Sequence, residues 1–274
     1  MNIYFHKYKI ESGTIYYNSK KKNQKMNNNK FIIIDDNFDT ILIPKRILVF
    51  APHPDDEIIS CGGTLLKYQE LGSEIIIVFG TSGLGGYSEI IEKNKIKEIR
   101  ENELNEVIQA LNWKAVNLGF SDLNINRDKV SCLTNLIREY KPHVILAPHY
   151  NDIHRVHRNY SLIIRESIYH CVKGTAYGAN NNKWIPFAFY YYETPSYKFH
   201  YSHAKTFIIV DIDEYWDKKK NILNKYYKSQ AILLEQIFNW IKSTAFMRGN
   251  EINKKFGEAY IPDTSYVPLR IILV

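Results

Sequence analysis

From residue 46 onward, short apolar runs alternate with longer stretches in which apolar residues return every three or four positions. The runs Arg46–Ala51, Glu74–Phe79, 115–118 and 143–147 predict strands covered on both faces, because apolar residues fill consecutive positions instead of every second one. The intervening segments 57–71, 92–111, 128–140 and 159–172 predict helices. Such alternation is the pattern of repeated strand–helix–strand units. It predicts an α/β fold, a Rossmann-like open, largely parallel sheet flanked by helices. Beyond these, 206–211 predicts another strand and 214–241 one long helix, in which Leu223, Tyr226, Tyr227, Leu234, Ile237, Phe238 and Ile241 share an apolar face. Before residue 46 the pattern weakens. Segments 31–34 and 40–43 read as short strands, and the polar run 20–30 reads as a solvated loop because it can bury nothing. The expected organisation is an N-terminal extension over 1–45 and one domain over 46–274, whose pattern loosens after 174 into Gly, Asn and Tyr-rich sequence.

Composition narrows the class. A chain of 274 residues with 45% hydrophobic and 24% charged residues has ordinary globular usage and ample length for a buried core. No apolar run approaches the ~20 residues of a membrane span, and the first residues lack the apolar core of a signal peptide, so a cytoplasmic protein without stable membrane insertion is expected. The net charge of +7 raises the question of a nucleic acid partner. With 27 Lys against 9 Arg, and 25 Asn, the charge reflects a Lys/Asn-biased composition; readout of bases and phosphates favours Arg, and no nucleic acid partner is expected. The three cysteines, Cys61, Cys132 and Cys171, are odd in number and lack CxxC spacing, so they read as small buried hydrophobes.

The chemistry lies where ligands bind in open α/β sheets, beyond the carboxyl ends of the strands. One such point carries Pro52-His53-Pro54-Asp55-Asp56-Glu57, and another carries Pro148-His149-Tyr150-Asn151-Asp152-Ile153-His154-Arg155-Val156-His157. Three acids and a histidine within five residues repel one another unless a cation or strong donors sit among them. His53 and Asp56 are three apart, and His154 and His157 repeat that spacing. Two imidazoles, one carboxylate and a water form a catalytic zinc arrangement. The bland alternative is that Asp55 or Asp56 merely caps the helix beginning near Glu57. Gly62 and Gly63 inside that helix, each costing ~1 kcal/mol relative to Ala, point to close packing of helix on sheet. No GxGxxG links strand to helix, which removes the dinucleotide fingerprint.

The segment Ile47-Leu48-Val49-Phe50-Ala51-Pro52-His53-Pro54-Asp55-Asp56-Glu57, continuing through Cys61-Gly62-Gly63-Thr64, resembles the signature of the LmbE/PIG-L family of zinc-dependent N-acetylglucosaminyl deacetylases. Thr81-Ser82-Gly83, Arg100 and Glu103, Leu118-Gly119-Phe120-Ser121-Asp122, the HxxH pair, Lys225-Tyr226-Tyr227-Lys228-Ser229-Gln230 and Phe256-Gly257-Glu258-Ala259-Tyr260 resemble further family blocks in family order, over roughly residues 46–260. The resemblance implies a hydrolase that removes an acetyl or other short acyl group from the amide nitrogen of an N-acetylated amino sugar or its conjugate. It implies Zn2+ held by His53, Asp56 and His157, with Asp55 as general base and His154 steadying the transition state. Arg100 and Asp122 match positions that contact the sugar. The expected partner is a small N-acetyl sugar or glycoconjugate, and a homo-oligomer is left open. One departure stands out: Val156 occupies the place of the acid in the usual HxDH motif, removing a carboxylate that could tune a histidine, although Asp152 could substitute. Two other classes stay open, a non-catalytic sugar- or nucleotide-binding module of the same fold and a metal-dependent phosphoesterase. Acceptor specificity is expected from 174–201, which offers Asn, Tyr and Trp184.

Overall fold

Two apolar layers, one on each face of a central sheet, contain most of the buried side chains. The computed structural model describes residues 43–84, 93–173, 182–200, 207–267 and 273, together with strand residues 3–5, 8–11, 14–17 and 31–32. Ile3–Phe5 (β1), Tyr8–Glu11 (β2) and Thr14–Tyr17 (β3) pair antiparallel in a sheet of their own. Phe31–Ile32 (β4) instead joins the main sheet, so part of the N-terminal segment contributes to the larger unit. The polar run 20–30 and most of 40–43 lie outside the described residues.

The main sheet adds Arg46–Ala51 (β5), Glu74–Phe79 (β6), Lys114–Asn117 (β7), Val144–Pro148 (β8), Ala188–Tyr192 (β9), Phe207–Asp211 (β10) and Gly257–Pro262 (β11). Its order is β4-β10-β11-β9-β8-β5-β6-β7, and every pairing is parallel except those of β11 with β9 and β10. In β5, Ile47, Val49 and Ala51 enter one layer while Leu48 and Phe50 enter the other. That is why the run lacks polar alternation. The helices are Asp56–Glu70 (α1), Lys93–Leu111 (α2), Arg127–Tyr140 (α3), Arg155–Lys173 (α4), Trp216–Tyr226 (α5) and Ala231–Glu251 (α6). Residues of α1, α2, α5 and α6 line one layer, and those of α3 and α4 the other. None of the described helices is long and apolar enough to cross a membrane.

The α/β reading holds, with three corrections. β9 and β11 lie in sequence that reads as loose. The Tyr-rich β9 is nonetheless wholly buried, because its phenols find partners: Tyr192 Oη donates to Phe50 O at 2.8 Å and Tyr191 Oη to Asp263 Oδ2 at 2.5 Å. The single helix over 214–241 is broken, since Tyr227 leaves helical geometry at φ −96° and ψ 49° and Lys228–Gln230 forms a 3-10 turn. Finally α4 starts at Arg155, four residues earlier than predicted, which puts His157 on a helix. Gly63 bears out its reading, because a Cβ there would come within 2.7 Å of Ile212, and only its absence lets α1 pack this closely.

Candidate active site

β5 and β8 are parallel neighbours, with Ile47 opposite Val144, so their carboxyl ends open at one edge of the sheet. The chain spreads from β5 to β6 and β7 on one side and from β8 to β9 on the other, which makes this the switch point where such sheets form a crevice. Both site loops end there in a helix. Asp56 is the first residue of α1 and His157 lies in the first turn of α4, so each pair with spacing three joins a residue before a helix to one in its first turn.

This arrangement brings three donor atoms together. His53 Nδ1 is 3.0 Å from Asp56 Oδ2, His157 Nε2 is 3.5 Å from the same oxygen, and the two ring nitrogens are 3.4 Å apart. A tetrahedral zinc with bonds of about 2.0 Å holds its ligand atoms about 3.3 Å from one another, so the triangle fits that ion. A three-histidine group, His53, His154 and His157, also converges, with ligand atoms within 4.8 Å of one another. Asp56 makes the tighter set. The other nitrogen of His157, Nδ1, is 2.9 Å from Asp152 Oδ2, the carboxylate–histidine arrangement that orients metal-binding imidazoles. Asp152 is fully buried and also accepts from Thr194 Oγ1 at 2.5 Å, Ser196 Oγ at 2.6 Å and His154 N at 2.8 Å. Asp152, four residues before Val156, thus places its carboxylate on the His157 ring. Val156 itself is half-buried on the cleft wall.

The charges follow from this packing. Burial acts to raise Asp56, but the His157 charge and the hydrogen bond from His53 overcome it and bring its pKa to about 2. Burial likewise opposes the shift of Asp152, which the His157, Ser196 and Thr194 contacts carry below the usual carboxylate range. At Asp55 burial wins, and with the charges of Asp56 and Glu57 it pushes the carboxyl well above that range despite Arg100. The His154 imidazole, exposed in the cleft, is pushed down by desolvation and then by His157 and His53. Asp55 occupies the N-cap position of α1 without a side-chain capping bond, and the Asp56 carboxylate receives the His53 N–H at 2.9 Å, so neither acid serves as a simple cap.

Around this cluster opens a cleft of about 890 Å³. Arg100 lines it from α2, buried, and desolvation lowers its pKa despite the opposing charges of Asp55 and Glu103. Gly83, at φ 62°, makes room for it, because a Cβ would meet Arg100 Nη1 at 2.5 Å. Asp122 lies on the rim, exposed and paired with Lys129 Nζ at 2.8 Å. Trp184 is elsewhere: it donates to Pro142 O at 2.7 Å, before the start of β8, and plays no part in the cleft. Residues 174–181 and 201 lie outside the described residues. Sequence reasoning quoted Glu57, Tyr227 and Gln230 but gave them no role; here Glu57 accepts from Asp55 N and Tyr227 Oη, and Gln230 donates to Pro54 O.

Residues 48–168 match the family model described as PIG-L: GlcNAc-PI de-N-acetylase. A Bacillus cereus protein named "Probable N-acetyl-alpha-D-glucosaminyl L-malate deacetylase 2" is 29% identical over 126 residues, covering 43% of this chain and 56% of that relative. The chain thus matches about half the length of this curated relative. Among solved structures, the N,N'-diacetylchitobiose deacetylase from Pyrococcus horikoshii superposes with a TM-score of 0.70 at 24% identity, over 80% of this chain and 84% of the other. The 4-carboxy-2-hydroxymuconate hydratase from Pseudomonas putida superposes at 0.68 with 18% identity, over 81% and 98%. One fold thus serves two chemistries, and the argument for function must come from the site.

Proposed function

We propose that the protein is a zinc-dependent amidohydrolase that removes the acetyl group from an N-acetylated amino sugar or its conjugate. The observation that carries this reading is the triangle of His53 Nδ1, Asp56 Oδ2 and His157 Nε2, with a proton-hungry Asp55 beside it in one cleft. The names of the Bacillus cereus relative and of the Pyrococcus horikoshii structure point the same way. His53, Asp56 and His157 would hold the ion. An ion bound there would supply Lewis acidity, making a water acidic enough to attack near neutral pH and polarising the acyl oxygen. Asp55 accepts the proton of the attacking water and holds it for the departing amine. His154, in the same cleft, offers an N–H to the oxygen on which negative charge develops. Water adds to the acyl carbon, the C–N bond breaks, and acetate and the protonated amine leave. Arg100 and, at the rim, Asp122 are the polar groups placed to hold the sugar.

The test is acetate release by the zinc-loaded full chain from N-acetylglucosamine supplied free, nucleotide-linked and lipid-linked. Release from at least one, abolished in His53→Ala and His157→Ala together with zinc content, is the expected outcome. Full zinc occupancy in both variants overturns the ligand set, and no release from any substrate overturns the activity.

A further inference from the structure

Asp55 has φ 126° and ψ −32°, a conformation that L residues rarely adopt and that persists only where its surroundings over-determine it. The φ angle of a residue describes how the preceding peptide plane is turned, so the peptide joining Pro54 to Asp55 is the unit to follow. Both of its polar ends are gripped. Gln230 Nε2 donates to Pro54 O at 2.9 Å, and Asp55 N donates to Glu57 Oε2 at 3.1 Å. Glu57 is fully buried, and its other oxygen accepts from Tyr227 Oη. Tyr227 and Gln230 stand at the two ends of the short segment that interrupts α5 and α6. Between them, Ser229 donates to Glu103 of α2 through its N at 2.7 Å and its Oγ at 2.6 Å, one helical turn from the Arg100 that faces Asp55. If these contacts only fastened a surface segment to the core, any acceptors would serve. The Gln230 bond and the Tyr227–Glu57 pair converge instead on the one peptide whose rotation aims Asp55.

We infer that the segment 227–230 is a clamp for the proposed general base, with Gln230 acting directly and Tyr227 acting through Glu57 as positioning residues that hold the Asp55 carboxyl in the cleft. The inference rests on the deacetylase reading only for the kinetic part of its test.

Gln230→Met keeps the length of the side chain without its N–H, and Tyr227→Phe removes only the hydroxyl. In the zinc-loaded full chain each should lower kcat by about 10- to 100-fold, the range that a misplacement of about 1 Å produces. KM and zinc affinity should stay within about twofold, because that peptide carries none of the three ligand atoms. A crystal structure of Gln230→Met should show the peptide turned and Asp55 out of the positive-φ region. A peptide that stays in place, or KM and zinc affinity that worsen in step with kcat, overturns the clamp. If the wild type releases no acetate from any substrate, the proposed activity fails, and the crystal structure alone decides the clamp. Should Gln230→Met fail to fold, Gln230→Leu, which also lacks a donor, carries the same expectations.

Discussion

The two loops at the carboxyl ends of β5 and β8 share a spacing and treat their buried acids in opposite ways. Asp55 is crowded by Asp56 and Glu57 and sits on a strained backbone, whereas Asp152 is surrounded by the Thr194 and Ser196 hydroxyls, the His154 N–H and the His157 ring. Burial acts on both. It prevails at Asp55 and loses at Asp152, so one carboxyl is pushed well above the usual range and the other falls below it. Environments that drive two like groups apart assign them different work. On the proposed function, the first loop would keep a group ready to take a proton and the second would hold a ligand still.

The comparison breaks most visibly if the roles are exchanged. Asp55→Asn should cut acetate release by about 10²- to 10⁴-fold, the usual contribution of a general base, with zinc per chain unchanged. Zinc lost in proportion to activity would mean that Asp55 is a ligand. Asp152→Asn should do the reverse, weakening zinc binding by about 10- to 100-fold while excess zinc restores most of the rate. A rate that stays low at saturating zinc would move Asp152 from the anchoring side of the comparison to the catalytic side.

Most of the first loop was legible in the sequence and much of the second was not. In Pro52–Glu57 the acids are contiguous, so their mutual repulsion, and the need for something to relieve it, can be read from neighbouring letters. Asp152 gains its meaning from Thr194 and Ser196, more than forty positions away, and from His157, which becomes adjacent only because α4 begins at Arg155. The parallel core strands were legible because burial on both faces leaves continuous apolar runs. β9 was not, because Tyr190, Tyr191 and Tyr192 look amphipathic until their partners are known. The break at Tyr227 was hidden for a related reason: its apolar spacing fits one helix, and the hydroxyl bond to Glu57 that uses the break is a tertiary contact.

Strain in the first loop gives a smaller effect of opposite sign. In the metal-free protein, Asp55→Gly relieves a positive φ and removes a buried carboxyl, against a cost of ~0.5–1 kcal/mol for the added freedom of glycine in the unfolded chain. A backbone outlier of this kind stores about 1–3 kcal/mol, so urea denaturation should show a net stabilisation of about 1 kcal/mol. An equal or lower midpoint would show that the loop carries no strain, and the contrast with the Asp152 loop would then rest on charge alone.

A third acid tests whether the Asp152 pattern is general, away from any candidate ligand. Asp263 accepts from Tyr191 Oη at 2.5 Å and Arg165 Nε at 3.1 Å on one oxygen and from Ser265 N at 2.8 Å on the other. Burial acts to raise it, and these donors, with the Arg165 charge, carry it below the usual range. A carboxyl whose folded pKa lies below its unfolded value near 3.9 contributes its full stabilisation above that value and loses it as pH falls through the folded pKa. Asp263→Asn should therefore cost about 1–2 kcal/mol at pH 7, the scale of hydrogen bonds to a charged group. The gap between wild type and variant, read from urea midpoints, should hold from pH 7 to about pH 5 and close as the pH falls through the lowered folded pKa. A gap that stays constant to pH 2 would mean that Asp263 acts by shape and neutral hydrogen bonding, and the same account of Asp152 would lose its support.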